Sequence, residues 1–101
     1  MAVVDSILDE ELQRLAKLQR KYQLAMLKLP SGSISIKVKS GRRYAYRAFR
    51  DGSRVITLYI GPVDSAEVAK LMDEVKQRRA AVKEIKAIER DIVRIRKMLN
   101  A

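Results

Sequence analysis

The stretch from Ser33 to Gly61, SISIKVKSGRRYAYRAFRDGSRVITLYIG, decides the fold. Apolar residues recur at every second position, and two glycine-containing breaks, Ser40-Gly41 and Asp51-Gly52, cut the run into three pieces. Alternation of that period marks half-buried strands, and breaks this short join antiparallel neighbours. Residues 33 to 60 are therefore expected to form a three-stranded antiparallel meander.

The register follows from the turns. Three-residue turns, Lys39-Ser40-Gly41 and Arg50-Asp51-Gly52, each with glycine in the left-handed position, set Ile36 opposite Tyr44 and Ile34 opposite Tyr46, and face both tyrosines toward Ile56 and Leu58. One face then collects Ile34, Ile36, Val38, Tyr44, Tyr46, Ala48, Ile56, Leu58 and Ile60. A two-residue turn at either place would bring Lys37, Arg43 or Arg47 into that set, because a slip of one residue turns a strand over. Three-residue turns are the expectation, with Tyr44 and Tyr46 in the core, although residue pattern alone leaves open whether those rings turn toward a ligand.

Working outward, residues 6 to 29 keep apolar side chains at helical spacing: Leu8, Leu12, Leu15, Leu18, Tyr22, Met26 and Leu29. Asp5 or Ser6 can cap this helix, the acidic Asp9, Glu10 and Glu11 favour its start, and Pro30 ends it. After the sheet, Asp64 and Glu67 stand at capping-box spacing, and neither Pro nor Gly interrupts the chain from there to the last residue. A helix over residues 65 to 99 would be roughly 50 Å long at 1.5 Å per residue. The first helix, at roughly 35 Å by the same rise, cannot cover it. Ala81, Ile85, Ile88, Ile92, Ile95 and Leu99 follow four-three spacing, the coiled-coil pattern. Earlier the stripe runs through Val68, Leu71, Val75, Arg78, Val82 and Ile85, so the two registers meet at Ile85 in a stammer. This Ile-rich seam fits either the chain's own sheet and first helix or a partner helix. The partner is the expectation, since an exposed stripe of this kind would aggregate. The architecture read from the sequence is α+β and a single domain: a helix, a three-stranded meander, and a long helix whose residues 81 to 99 join subunits into a dimer or tetramer.

Composition narrows the chemistry. The 101 residues include no Cys, no His and no Trp, which removes thiolate and imidazole nucleophiles, disulfides and the common zinc ligands. The only carboxylate cluster, Asp5, Asp9, Glu10 and Glu11, serves a helix start rather than a metal, the four glycines are isolated turn residues rather than a phosphate loop, and four tyrosines without a base make a poor nucleophile set. No enzyme, metal or cofactor is expected. The acidic opening MAVVDSILDEEL is unlike a signal peptide, and no stretch approaches 18 apolar residues, so a cytoplasmic protein without membrane contact is expected. The missing Cys, the single Asn and the abundant Lys, Arg, Glu and Ile match thermophile usage.

The net charge is +10, and it is unevenly distributed. Residues 33 to 60 hold seven basic side chains and one acidic one; residues 77 to 101 hold eight and three. In the expected register, the face away from the core carries Lys37, Lys39, Arg43 and Arg47 with Phe49 and Tyr59, while Arg42, Arg50 and Arg54 extend the track at the turns. Cations neutralise phosphates, and aromatic rings stack on unpaired bases. That combination points to single-stranded nucleic acid. The basic residues of the long helix are interspersed with Glu84, Glu89 and Asp91 and read as a solvated flank.

The helix to Leu29, the basic-aromatic meander RRYAYRAFRDGSRVITLYIGP and the Ile-seamed final helix together resemble the ThermoDBP-related single-stranded DNA-binding proteins of thermophilic archaea. The resemblance implies sequence-tolerant binding by an oligomer assembled through its terminal helices, the strand held between subunits without an OB-fold. It carries the roles of basic and aromatic sheet residues onto Arg43, Arg47, Phe49 and Tyr59, with Lys37 and Lys39 beside them. The expected function is non-enzymatic binding of single-stranded DNA, with RNA as the other ligand. Two other classes fit the composition: a scaffold whose basic sheet docks on an acidic protein, and a chromatin protein that prefers duplex DNA.

Overall fold

A computed structural model describes residues 3–100. Its elements run α1 (Val3–Leu27), β1 (Ser33–Lys39), β2 (Arg42–Asp51), β3 (Arg54–Pro62) and α2 (Ala66–Leu99), an α+β fold. The expected order and element types are present. The chain divides into two compact units: one joins α1 to the part of α2 after Arg79, the other comprises Leu29–Arg79. No described helix is long and apolar enough to cross a membrane.

In the helical unit, Leu15 of α1 is buried in a cluster with Ile88, Ile92 and Ile95 of α2, and Leu8, Leu12, Leu18, Tyr22 and Leu99 pack around it. This corrects the expected subunit interface. Ile88, Ile92, Ile95 and Leu99 meet the chain's own first helix, and Ala81 and Ile85 are buried as well. The physical reason is that α1 presents an apolar stripe of matching spacing, which needs a helical partner as much as α2 does. On the outer surface of α1, Arg14 donates two hydrogen bonds to Glu11, and these hold the Glu11 carboxyl below its ordinary range.

The other unit is built on a sheet of order β1-β2-β3, antiparallel throughout. Here the expected register is overturned. Lys39 pairs with Arg42 and Asp51 with Arg54, so both turns hold two residues, Ser40-Gly41 and Gly52-Ser53. Ser40 and Gly41 both have positive φ, 52° and 76°, the type I′ pattern; in the second turn only Gly52 does, at 65°, which is the II′ pattern with glycine first. Such turns match the right-handed twist of the strands, and that local geometry outweighs the uniformly apolar face that longer turns would have given. Ile36 pairs with Ala45 rather than Tyr44, and the whole of β2 is turned over relative to its neighbours.

One face of the sheet therefore carries Ile34, Ile36, Val38, Ile56 and Leu58 together with Arg43, Ala45, Arg47 and Phe49. The start of α2 covers part of it. Ala45 is fully buried, its ladder partner Gly61 is buried, and a Cβ on Gly61 would stand 3.8 Å from Cγ2 of Val68. Two small residues opposite each other leave room for the first turn of α2 on this face. That helix is capped by Ser65, whose hydroxyl accepts from the Val68 N–H at 3.2 Å, rather than by Asp64. Arginine in the apolar set is accommodated by reaching out of it. The Arg47 guanidinium lies 4.4 Å from the Phe49 ring centre and donates through Nε to the Ser31 carbonyl at 2.8 Å. Arg78, the one charged member of the α2 stripe, likewise donates to the Leu29 carbonyl at 2.7 Å. Both bind the segment that follows α1, where Gly32 has φ 100° and a side chain would collide with the Ala48 carbonyl oxygen.

Candidate nucleic-acid interface

The turned-over middle strand gathers the second face. Tyr44 and Tyr46 of β2 share it with Lys37 and Lys39 of β1 and Tyr59 of β3. The three rings are in contact: Tyr46 and Tyr59 meet edge to face with centroids 5.5 Å apart, and Tyr44 and Tyr59 lie tilted at 6.1 Å. Lys37 and Lys39 lie over the Tyr46 ring, their Nζ atoms 4.8 and 5.8 Å from its centre. Each such cation–π contact contributes on the order of 0.5–1 kcal/mol at an exposed site, enough to bias where the ammonium groups rest without consuming their charge. Tyr59 is 56% exposed, and Tyr44 and Tyr46 are half-buried, so ring faces remain open to solvent.

A shallow concavity runs between these rings, lined by Lys39, Ser40, Tyr44, Tyr46 and Tyr59. A second shares Tyr44 and is lined by Gly41, Arg42, Arg43, Pro62, Val63 and Asp64 as well. Arg42 and Arg50 occupy the tyrosine face of β2, and no strand residue on that face is acidic. A row of cations thus borders an aromatic centre on a twisted antiparallel surface. Among the described residues no group of three or more His, Cys, Asp or Glu could hold a metal ion.

Of the residues the sequence offered, Lys37, Lys39, Arg42, Arg50 and Tyr59 lie together on this face. Arg43, Arg47, Phe49 and Arg54 lie on the opposite one. Arg47 and Phe49 are half-buried there against each other, with Arg47 bound to Ser31, so neither is free to meet a strand on the tyrosine face. Tyr44 and Tyr46 replace them. The signal that would have found the two tyrosines is Gly52-Ser53 itself, since glycine at the first position of a two-residue hairpin is a recognised type II′ pairing.

The chain belongs to the family described as a domain of unknown function, DUF6788, whose model matches residues 5–70. That span contains α1 except its first two residues, all three strands and the beginning of α2, and with them every residue of the tyrosine face. No curated protein and no solved structure matches the chain significantly.

Proposed function

We propose that the tyrosine face of the sheet binds single-stranded nucleic acid, without catalysis and with little dependence on sequence. The observation that carries this reading is the cluster of Tyr44 and Tyr46 around Tyr59, sharing its face with Lys37, Lys39, Arg42 and Arg50 and with no acidic strand residue. Phosphates find cations at the margin, and unpaired bases find rings at the centre. Each stacked base is worth roughly 1–3 kcal/mol and is sequence-tolerant, because every base has a π-face. A duplex keeps its bases stacked on one another and could use only the cations. DNA is the ligand favoured by the resemblance described above.

Fluorescence anisotropy with single-stranded DNA, single-stranded RNA and duplex DNA across a salt series tests the reading. Binding of single strands that persists at moderate salt, and exceeds duplex binding at equal salt, supports it. Equal affinity for all three that collapses together with salt would reduce the +10 charge to nonspecific attraction. Preference for duplex would favour the chromatin reading.

A further inference from the structure

The sheet has two edges, and they are not equivalent. In β3 the register slips between Ala45 and Tyr46, which leaves Ile60 as an extra residue, and the strand ends on Pro62, which has no N–H to donate. Bulges and prolines are standard means of blocking strand addition. β1 has neither. Its seven residues, Ser33–Lys39, contain no Pro or Gly, and all except Ile34 are exposed.

The first turn determines which backbone groups of β1 are free. The Lys39 carbonyl and the Arg42 N–H close the two-residue turn, so Lys39, Lys37, Ser35 and Ser33 direct their backbone groups toward β2. Val38, Ile36 and Ile34 direct theirs outward. The same three residues carry the apolar side chains, and Ile36 and Val38 are 40% and 67% exposed.

We infer that β1 pairs with β1 of a second copy, antiparallel about a twofold axis at Ile36, to make one continuous six-stranded sheet. In that register Ile36 faces its own counterpart, Ile34 faces Val38, Ser35 faces Lys37 and Ser33 faces Lys39. Apolar side chains meet apolar ones on one face, and every lysine meets a hydroxyl on the other. The outward N–H and C=O groups of Ile34, Ile36 and Val38 are all satisfied. Sliding the copies by two residues one way sets Lys37 against Lys37, and like charges directly opposite destabilise a pair. Sliding the other way shortens the overlap. The strand is thus complementary to itself in one register, and the occupant of its edge is this same chain. The pairing would join two tyrosine faces into one surface with Lys37 and Lys39 of both copies at its middle. It is read without nucleic acid, so it and the ligand reading can fail separately.

The full chain contains no cysteine, which makes single substitutions clean reporters. Ile36→Cys puts two sulfurs on the axis, with α-carbons about 5.5 Å apart as in a hydrogen-bonded antiparallel pair, inside the range a disulfide spans. Val38→Cys lies four residues along the strand from its counterpart, about 13 Å. Oxidation is expected to crosslink the first and leave the second monomeric on a denaturing gel. Sedimentation should give a dimer for the unsubstituted chain, and Ile36→Pro, which removes an N–H that β2 does not use, should shift it to monomer with unchanged circular dichroism. Hydrogen exchange on the unsubstituted chain gives the same reading without a variant, through concentration-dependent protection of the Ile34, Ile36 and Val38 amides. A chain that stays monomeric at every concentration overturns the inference, as does crosslinking of Val38→Cys at the rate of Ile36→Cys, or a dimer indifferent to Ile36→Pro.

Discussion

Tyr46 and Tyr59 stand opposite each other in the β2–β3 ladder, with their rings edge to face at 5.5 Å and 61°. They are the last pair before the register slips, so an aromatic contact and a strand irregularity coincide. Beyond the slip, Gly61 takes the place opposite Ala45, and Tyr44 aligns with Pro62 and leans toward Tyr59 at 6.1 Å. The extra residue sets Gly61, in place of Ile60, opposite the buried Ala45.

If bases stack on these rings, Tyr59→Ala or Tyr46→Ala should weaken single-strand binding about 5- to 150-fold, the range corresponding to 1–3 kcal/mol per base. The salt dependence should be unchanged, because no cation is lost. Anisotropy titrations at several salt concentrations separate the two quantities. A parallel loss of slope would assign the effect to a displaced lysine instead.

Cations of the tyrosine face should behave in the opposite way. Lys37→Ala or Arg42→Ala is expected to lower the salt slope by about 0.7, the single-strand value for one phosphate contact. Arg47→Ala provides the contrast. Its guanidinium binds the Ser31 carbonyl on the other face, so the slope should hold while stability falls by about 1–3 kcal/mol, the cost of losing a hydrogen bond to a charged group. Urea denaturation measures the second effect, and a lowered slope with normal stability would contradict both placements.

Gly32 should tolerate no side chain. Gly32→Ala puts a methyl group into the Ala48 carbonyl at a residue with φ 100°, whereas at Gly41 nothing stands within 4 Å and only the φ of 76° resists substitution. Gly41→Ala is expected to cost about 1–2 kcal/mol, the price of the left-handed conformation alone. Gly32→Ala should cost more than that, and the order of the two Tm values tests it.

The helical cluster gives a prediction about both stability and assembly. Leu15→Ala or Ile92→Ala should cost about 2–5 kcal/mol, as large-to-small changes in a packed core do. Neither should alter the mass of the native chain in solution, because both residues face the chain's own helices. Dissociation of an oligomer by Ile92→Ala would return the seam to a subunit interface.

Much of this molecule is legible in its sequence. Period-two alternation from Ser33 to Ile60 and the long Pro-free stretch after Ser65 give the elements and their order. What could not be read is parity. Alternation states that Tyr44 and Tyr46 share a side of β2, but whether that side joins Lys37 or Ile36 depends on one residue in a turn. A uniformly apolar face is not formed, because Arg47 sits on the side that holds Ile34, Ile36 and Ile56. The guanidinium manages this by stacking on Phe49 and reaching a loop carbonyl, a contact with a residue 16 positions away that no strand pattern encodes. The helical seam was ambiguous for a different reason. Four-three spacing specifies that Ile88, Ile92 and Ile95 need a neighbouring helix and is silent on which chain provides it.

The pairing of Leu15 with Ile88 also orders events as the chain is synthesised. The two residues are roughly 70 positions apart, so closing that loop costs about 4 kcal/mol in chain entropy before any contact repays it. Each hairpin of the meander closes across a turn of two residues, and does so within microseconds of its second strand being available. On the ribosome the sheet can therefore assemble while α2 is still being made. The leucine stripe of α1, which emerges before the sheet, is covered only after α2 has followed it.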